Sequence, residues 1–159
     1  MTITVAHPTL RPATDGDAEL LRALFVSGLP AGLSALGTVP GLLEQQHAAR
    51  ETSYAAAYAC LRDQVVLVDG EPAGRLLTAP SDGATHVVDI AIAPAHRGRG
   101  LGTRLLEDLL ADGPVTLVVA LDNPARGLYS RLGFRVVDET ATDLLLRHPG
   151  LPTTEGTGA

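Results

Sequence analysis

Lysine is absent from this sequence, and all twelve of its basic residues are arginine. Chemistry that needs a lysine, such as a Schiff base or a P-loop that binds phosphate, is therefore excluded. The single cysteine, Cys60, can form neither a disulfide within the chain nor a cysteine-based zinc site, which favours an intracellular setting. Because Cys60 ends an apolar helical stretch, it is expected to be a small buried hydrophobe rather than a nucleophile.

Positive charge and long apolar runs are also scarce. The formal net charge of −6 argues against nonspecific binding to nucleic acid or anionic lipid, which needs clustered cations. No stretch approaches the ~18 apolar residues of a membrane span, and residues 1–10 lack the basic and apolar segments of a secretory signal. The histidines show no spacing that would gather them around a metal on one helix face. We therefore expect a cytoplasmic protein with no metal, nucleic-acid or membrane partner.

Size and composition indicate one domain. The chain has 159 residues, 45% of them hydrophobic, which suits a single core and leaves no room for a second domain. Residues 149–159 are small, polar and rich in glycine and proline, and they show no periodicity. We expect a folded domain over residues 1–148 and a disordered tail over residues 149–159.

The pattern of apolar residues predicts a mixed α/β layer fold. Helical spacing occurs in four stretches, strand patterns occur in seven, and turn residues separate them. The second and third strands are joined by Asp69-Gly70-Glu71-Pro72, whose turn chemistry predicts a hairpin. The predicted order is strand 2–11, helix 18–25, helix 42–61, strands 64–68, 73–78 and 85–93, helix 101–110, strand 115–121, helix 124–132, and strands 134–137 and 142–147.

A glycine-rich loop, Arg97-Gly98-Arg99-Gly100-Leu101-Gly102, joins the fourth strand to the third helix. Its glycines leave the backbone uncovered, and the helix that begins near Leu101 directs free N–H groups and the positive end of its dipole at the loop. Arg97 and Arg99 add charge that suits phosphate oxygens. A dinucleotide fingerprint would follow the first strand with other spacing, and a Walker loop needs lysine. The loop therefore indicates a phosphate site, with a plain chain-reversing turn as the alternative.

Two segments resemble motifs of a known family. Ile90-Ala91-Ile92-Ala93-Pro94-Ala95-His96 and the glycine-rich loop after it resemble motif A of the GNAT superfamily of N-acetyltransferases, with its Arg/Gln-x-x-Gly-x-Gly/Ala core. Asn123-Pro124-Ala125, Leu128-Tyr129 and Leu132-Gly133-Phe134 resemble the family's motif B, in the expected order. The resemblance is specific over residues 85–137, whereas residues 1–84 fit only the family's general strand, helices and hairpin. It implies an α/β (α+β mixed) fold whose central, mostly antiparallel mixed sheet of six to seven strands is flanked by about four helices.

The resemblance also implies how acetyl-CoA is bound, wedged where two central strands splay. The backbone of Asp89 to Ala93 would pair with the pantetheine arm, and the N–H of Ile92 would face the thioester carbonyl as an oxyanion donor. The loop N–H groups would hold the pyrophosphate, with a hydroxyl from Thr103; preorganised donors of this kind stabilise a transition state. The implied coenzyme-binding residues are Ile90, Ala91, Ile92, Arg97, Gly98, Arg99, Gly100, Leu101, Gly102, Thr103, Asn123 and Tyr129.

Two residues of motif B have both a functional and a structural interpretation. Tyr129 resembles the family's general acid, a phenol of reference pKa ~10 that can protonate a departing thiolate. The alternative is that Tyr129 only packs its helix onto the sheet. Asn123 bonds the cofactor arm in this family, but an asparagine just before Pro124 is also a good helix N-cap.

The sequence leaves the general base open. Some relatives place a glutamate five residues before the motif asparagine, where this chain has Val118. Glu44 and His47 on the second helix are candidates, and an amine that arrives neutral needs no strong base.

His86 and Asp89 on the fourth strand are the other candidates for the base. By strict alternation, His86 shares a strand face with Ile90 and Ile92 and points toward the thioester, whereas Asp89 lies on the other face. We therefore place His86 with Tyr129 and Ile92 among the candidate catalytic residues. The alternative, a histidine with a structural role, is the commoner one for a strand.

Three functions compete on these features. The first is an acetyl-CoA-dependent N-acetyltransferase that transfers acetyl to an amine of a small molecule, protein or peptide by direct attack on the thioester. The second is an acyl-CoA-binding module with lost or regulatory activity, and the third is a plain α/β interaction domain. Gln46, Arg50 and Tyr54 either line the acceptor pocket or form a solvated helix face. A sheet edge leaves a homodimer open.

Overall fold

Four helices and seven strands make up the described part of the chain, which comprises residues 6–29, 32–33 and 37–152 of a computed structural model. The helices are α1 (Ala18–Ser27), α2 (Leu42–Ala57), α3 (Leu101–Asp112) and α4 (Arg126–Leu132). The strands are β1 (Thr9–Pro12), β2 (Arg62–Val68), β3 (Glu71–Ser81), β4 (Ala84–Ile92), β5 (Val115–Ala120), β6 (Arg135–Glu139) and β7 (Asp143–His148).

All seven strands form one sheet in the order β1-β2-β3-β4-β5-β7-β6. Every neighbouring pair is antiparallel except β4 and β5, which run parallel and are connected through α3. The expectation of a mostly antiparallel mixed sheet with about four helices is therefore confirmed. None of the helices in the described residues is long and apolar enough to cross a membrane.

The two parallel strands pair over only part of their length. The paired residues are Thr85 with Val115, His86 with Thr116 and Val87 with Leu117. Beyond them β4 continues to Ile92, while β5 stays paired with β7 instead. The sheet thus opens between β4 and β5, and one edge of β4 lies free of strand partners there.

A β-bulge coincides with the start of this opening. On β3, Leu77 and Thr78 are consecutive, but their partners on β4 are Asp89 and Val87. Val88 is therefore an extra residue in β4. Because a bulge bends its strand and increases the local twist, it accounts for the end of pairing with β5 directly after Val87.

The main core lies between the sheet and helices α3 and α4. Helix α3 buries Leu105, Leu106 and Leu110, whose spacing places them on one face, as the sequence predicts. Strand residues such as Leu76 and Leu117 pack against this face. This packing fixes the N-terminus of α3 against the end of β4 where the opening lies.

The opposite face of the sheet carries a buried ionic cluster around Arg75 of β3. The Arg75 side chain is only 5% exposed. It donates to both carboxylate oxygens of Glu51 on α2, at 2.6 and 2.8 Å, and to those of Asp63 on β2, both at 2.9 Å. The hydrogen bonds from Arg75 lower the pKa of Glu51, which keeps that carboxylate ionised. The cluster therefore ties α2 to the sheet through charge-assisted bonds.

Replacement of Arg75 by leucine is expected to destabilise the fold strongly. The change leaves two carboxylates beside each other without their cation, which typically costs about 3–5 kcal/mol for a buried pair. Arg22→Leu is the matched control, because Arg22 pairs with Glu44 on the exposed surface, where such pairs contribute at most about 1 kcal/mol. Urea unfolding measures both. An Arg75→Leu variant that loses no more free energy of unfolding than Arg22→Leu would contradict this account.

One local expectation differs from the structure. Cys60 follows α2 in an exposed turn with φ of 57°, so the expectation of a buried cysteine is wrong. Within the predicted tail, the Leu151 N–H donates to the Leu110 carbonyl at 2.8 Å. The remainder of that tail, residues 153–159, lies outside the described residues.

Candidate active site

The glycine-rich loop presents a continuous run of free backbone donors. Gly98 and Gly100 adopt left-handed φ values of 75° and 76°, a conformation that favours glycine, and α3 begins at Leu101 as the sequence predicts. Among the described residues, no acceptor is found for the N–H groups from Gly98 to Thr103. A Cβ at Gly98 or Gly100 would meet no atom within 4 Å. The backbone is therefore open to a ligand that accepts several hydrogen bonds.

The two loop arginines differ in their surroundings. Arg97 Nε donates to the Ile92 carbonyl at 3.0 Å, and its Nη2 donates to Ser27 Oγ at 3.2 Å. Arg97 thus ties the loop to the end of β4 and to the end of α1. Arg99 is exposed. A cavity of about 270 Å³ lies at the loop, lined by Ile92, His96, Arg97, Gly98, Gly100, Leu101, Gly102, Thr103, Leu128 and Arg131.

The end of β4 offers its backbone to the opening in the sheet. The Ala93 N–H donates to the Ala73 carbonyl of β3 at 2.8 Å. Successive N–H groups of a strand point to opposite edges, so the N–H of Ile92 is directed at the β5 side. That side is free of strand partners beyond Val87. Ile90, Ala91 and Ile92 also line the neighbouring cavity described below.

The bulge at Val88 changes the face of β4 on which His86 lies relative to Ile90 and Ile92. Residues opposite each other in an antiparallel pair share a face, and Asp89 and His86 lie opposite Leu77 and Ala79 of β3. Ile90 lies opposite Leu76, on the face that packs against α3. The expectation that His86 shares a face with Ile90 and Ile92 is therefore wrong, whereas Asp89 lies on the face opposite to them, as expected. Strict alternation fails because the bulge adds one residue.

His86 is buried in a structural setting. One ring nitrogen, Nε2, lies 3.2 Å from the Tyr58 hydroxyl, and the other, Nδ1, lies 2.8 Å from Thr116 Oγ1. The ring also stacks on Tyr58, and burial lowers the pKa of His86. Both nitrogens thus have partners, and His86 is not among the residues that line the cavity at β4.

Asp89 instead projects into a cavity of about 340 Å³. Its Oδ1 lies 3.4 Å from Arg50 Nη2 and its Oδ2 lies 3.8 Å from Arg75 Nη1. Burial raises the pKa of Asp89, and the two arginines oppose that rise. The cavity is lined by Leu21, Leu24, Phe25, Gly28, His47, Arg50, Glu51, Arg75, Asp89, Ile90, Ala91, Ile92, Arg97 and Asn123.

Tyr129 lies in α4 and is 8% exposed, with its ring edge-on to Phe134 at 5.9 Å between centroids. Burial raises the pKa of its phenol, and the carboxylate of Asp89 adds a smaller rise. The phenol therefore keeps its proton throughout the neutral range. The packing and the proton-holding interpretations of Tyr129 are compatible in this position.

Of the two roles expected for Asn123, the structure shows the local one, a side-chain hydrogen bond just before α4. Its Oδ1 accepts a hydrogen bond from the Ala125 N–H at 2.8 Å, in the turn that precedes α4. Helix α4 begins at Arg126, two residues later than the sequence predicts, because this turn comes first. Asn123 also lines the cavity with Asp89.

The remaining candidates separate into two groups. His47 lines the cavity, where it packs on Phe25 with 5.2 Å between ring centroids, and Arg50 lines it too. Glu44, by contrast, pairs with Arg22 on the exposed surface. Val118, at the position where some relatives have a glutamate, is 54% exposed.

Arg75 and Glu51 also line the cavity, although neither was among the residues expected there from the sequence. Arg75 is the single charged residue from Ala73 to Ala79, and a charged residue in such a mostly apolar run is a signal of a buried partner. That signal would have indicated an ionic cluster here, but not its partners.

Comparison with known proteins supports these geometric findings. Residues 57–136 match the family model described as an acetyltransferase (GNAT) domain. Glucosamine 6-phosphate N-acetyltransferase 1 of Oryza sativa subsp. japonica is 30% identical over 151 residues, which cover 82% of this chain and 90% of the rice protein. Mycothiol acetyltransferase of Nocardia farcinica is 40% identical over 75 residues, 45% of this chain. The chain spans only 25% of that second relative.

Solved structures share the same architecture. An acetyltransferase from Thermus thermophilus superposes with a TM-score of 0.68 at 27% identity, covering 91% of this chain and 98% of that one. The PaiA N-acetyltransferase from Thermoplasma acidophilum, solved with coenzyme A, gives a TM-score of 0.62 at 15% identity over 89% of this chain and 98% of its own. At that identity the second likeness concerns the fold alone.

A sheet that opens between two parallel strands, with a glycine-rich loop at the N-terminus of the following helix, belongs to an architecture that this chain shares with these solved acetyltransferases. The family match and the rice relative show that the chain belongs to the GNAT acetyltransferase family. The predictions of the family, of the fold and of an acetyl-CoA-dependent N-acetyltransferase enzyme are thereby confirmed. The acceptor is not identified by these matches.

Proposed function

We propose that the protein transfers the acetyl group of acetyl-CoA to an amine of a small molecule or peptide. The observation that carries this proposal is the continuity of two features. The cavity at the free donors of Gly98 to Thr103 and the cavity that holds Asp89 share Ile92 and Arg97 in their linings. A coenzyme bound at the loop would therefore place its acyl end beside that cavity. The single acetyltransferase domain over residues 1–148 is part of the proposal.

The loop suits a pyrophosphate on chemical grounds. Free N–H groups at a helix N-terminus attract anions, because the helix dipole adds to the hydrogen bonds. The open space at Gly98 and Gly100 would let phosphate oxygens approach the backbone. The PaiA structure with coenzyme A, which has the same fold, supports the assignment of acetyl-CoA as co-substrate.

The proton transfers can be assigned to Asp89 and Tyr129. The amine nitrogen bonds to the acetyl carbonyl carbon while the Ile92 N–H stabilises the developing oxyanion. Asp89 receives the proton that the nitrogen gives up. The carbon–sulfur bond then breaks, and Tyr129 gives its proton to the departing thiolate. We omit His86 from this scheme, because both of its ring nitrogens have partners away from the cavity.

Asp89→Asn is expected to lower kcat by about 10²- to 10⁴-fold, the usual contribution of a positioned general base. Asparagine preserves the shape of the side chain, but its amide cannot accept the ammonium proton. Asp63→Asn is the matched control, because Asp63 also bonds Arg75 yet does not line the cavity. Steady-state thiol release measures both variants. Equal losses of kcat would show that Asp89 acts only through the Arg75 cluster.

The competing function is an acyl-CoA-binding module without turnover. The observation that favours it is Val118, at a position where some relatives carry a glutamate. Thiol release from acetyl-CoA across a panel of amines and peptides separates the two functions. Release that depends on an amine supports the enzyme, whereas saturable coenzyme A binding without release from any acceptor supports the module.

The cellular location and assembly remain sequence-based proposals. We propose a cytoplasmic protein, because the single cysteine cannot form a disulfide within the chain. A homodimer is left open by the edge strand β6, whose residues are all exposed.

A further inference from the structure

We propose that the acceptor carries an anionic group, a carboxylate or a phosphate, a few bonds away from its amine, and that Arg50 binds this group. The inference rests on the proposed function and deepens it by naming the class of substrate. In this proposal, Arg50 is a specificity-determining residue, because its guanidinium is held in place and still has nitrogens that can bind a ligand.

Arg50 is held at the cavity by aromatic rings. Its guanidinium carbon lies 5.7 Å from the centroid of Phe25 and 5.4 Å from that of Tyr54, distances typical of cation–π contact. Its Nε donates to the Tyr54 hydroxyl. The side chain is nonetheless 41% exposed and lines the cavity. The rings thus fix the direction of the guanidinium without occupying its outer nitrogens.

The outer nitrogens of Arg50 keep most of their hydrogen-bonding capacity. The contact from Nη2 to Asp89 Oδ1 is 3.4 Å, longer than the ~2.7–2.9 Å of a good charge-assisted bond. No partner of Nη1 is found among the described residues. Arg75 provides the contrast, because its three nitrogens are engaged by Glu51 and Asp63 at 2.6–2.9 Å. Arg75 is a structural cation, whereas Arg50 is available to a ligand.

The charges at the cavity suit an acceptor that carries both a positive and a negative group. Both carboxylate oxygens of Glu51 accept hydrogen bonds from Arg75, so Asp89 is the carboxylate available to an ammonium group. Arg50 lies beside it, and the cation of Arg97 stands at the coenzyme side. Because an unpaired charge in a partly buried site is costly, an amine without an anion would leave Arg50 uncompensated once Asp89 binds the ammonium.

The short distance between these two groups limits the acceptor further. Arg50 Nη2 and Asp89 Oδ1 are 3.4 Å apart, so an amine at one and an anion at the other must be separated by only a few bonds. An amino acid or a phosphorylated amino alcohol has this spacing. The cavity of about 340 Å³ admits a molecule of that size.

Matched acceptor pairs test the inference. L-Alanine is compared with L-alaninamide, and phosphoethanolamine with ethanolamine, so that the members of each pair differ in the anion and the two pairs distinguish carboxylate from phosphate. The concentration of each acceptor is given as the concentration of its neutral amine. This corrects for the effect of the anion on the pKa of the amine. Thiol release gives kcat/KM for each acceptor. We expect at least one anionic member to exceed its partner by about ten- to a hundredfold, the range for a bond to a charged group.

Variants then assign that preference to Arg50. Arg50→Gln should reduce the ratio of the anionic to the uncharged acceptor to near one, chiefly through KM, and Arg50→Lys should retain part of it. Arg22→Gln, on the exposed surface of α1, should leave the ratio unchanged. A wild-type ratio near one in both pairs, or a ratio that survives in Arg50→Gln, would overturn the inference while leaving the proposed function intact. Absence of thiol release from these acceptors and from the wider amine panel would overturn the proposed function itself.

Discussion

Replacement of Gly100 by glutamate is expected to abolish coenzyme A binding. The new carboxylate would extend from the middle of the donor run at Gly98 to Thr103, where the pyrophosphate is proposed to lie. Two like charges ~4 Å apart repel by about 4 kcal/mol at an effective dielectric constant of ~20, which corresponds to a loss of affinity of about a thousandfold. Isothermal titration with coenzyme A measures the effect directly.

The control for this variant is available in the same chain. Gly83, in the turn between β3 and β4, has a φ of 75° against 76° at Gly100, and a Cβ there also meets no atom within 4 Å. Gly83→Glu therefore carries the same backbone strain and the same added charge, but away from the loop. It should bind coenzyme A like the wild type. Comparable affinity losses in the two variants would mean that strain or net charge, rather than the loop, explains the result.

Removal of the Tyr129 hydroxyl is expected to have the second large effect. In Tyr129→Phe the ring can keep its edge-on contact with Phe134, but the group proposed to protonate the thiolate is gone. We expect kcat for thiol release to fall by about 10²- to 10⁴-fold. The affinity for coenzyme A should stay within about fivefold of the wild type, since a neutral hydrogen bond contributes only about 1 kcal/mol.

Tyr58→Phe separates chemistry from stability in this experiment. Tyr58 is the hydroxyl partner of His86 and does not line the cavity with Asp89. Its loss should lower the free energy of unfolding slightly and leave kcat close to the wild-type value. If Tyr129→Phe retains wild-type kcat, Tyr129 is only a packing residue. If both variants lose kcat in parallel, the effect is structural.

The glycine-rich loop was predictable because its signals are local. The positive φ values of Gly98 and Gly100 and the start of α3 at Leu101 follow from glycine spacing and from the helical period of the leucines behind it. The position of the loop between a buried strand and an amphipathic helix likewise follows from one continuous stretch of sequence. The resemblance of this pattern to a known motif then allowed the family and the fold to be predicted.

The arrangement of β4 was predictable only in part. Alternation along the strand assumes a regular ladder, and nothing in Val87, Val88 or Asp89 marks the bulge that the register with β3 requires. As a result, His86 was expected on the face of Ile90 and Ile92, whereas it lies on the same face as Asp89. A bulge depends on the partner strand and on the sheet's twist, so a single strand pattern does not contain it.

The ionic cluster depends on contacts between distant segments. Glu51, Asp63 and Arg75 come from α2, β2 and β3, and each looks like an ordinary charged residue in its own segment. Their convergence fixes α2 over the cavity and, with it, the position of Arg50. The residue proposed to determine specificity therefore lies in the half of the chain where sequence motifs are weakest.

The most direct test of the central claim is to detect the acetylated amine itself. Mass spectrometry of reactions with acetyl-CoA and the amine panel would be combined with a count of released thiol. We predict one acetylated amine for each thiol released, with both absent for Gly100→Glu and both greatly slowed for Tyr129→Phe. Saturable coenzyme A binding without any acetylated product would contradict the claim of catalysis. Thiol release without product would indicate hydrolysis instead of transfer.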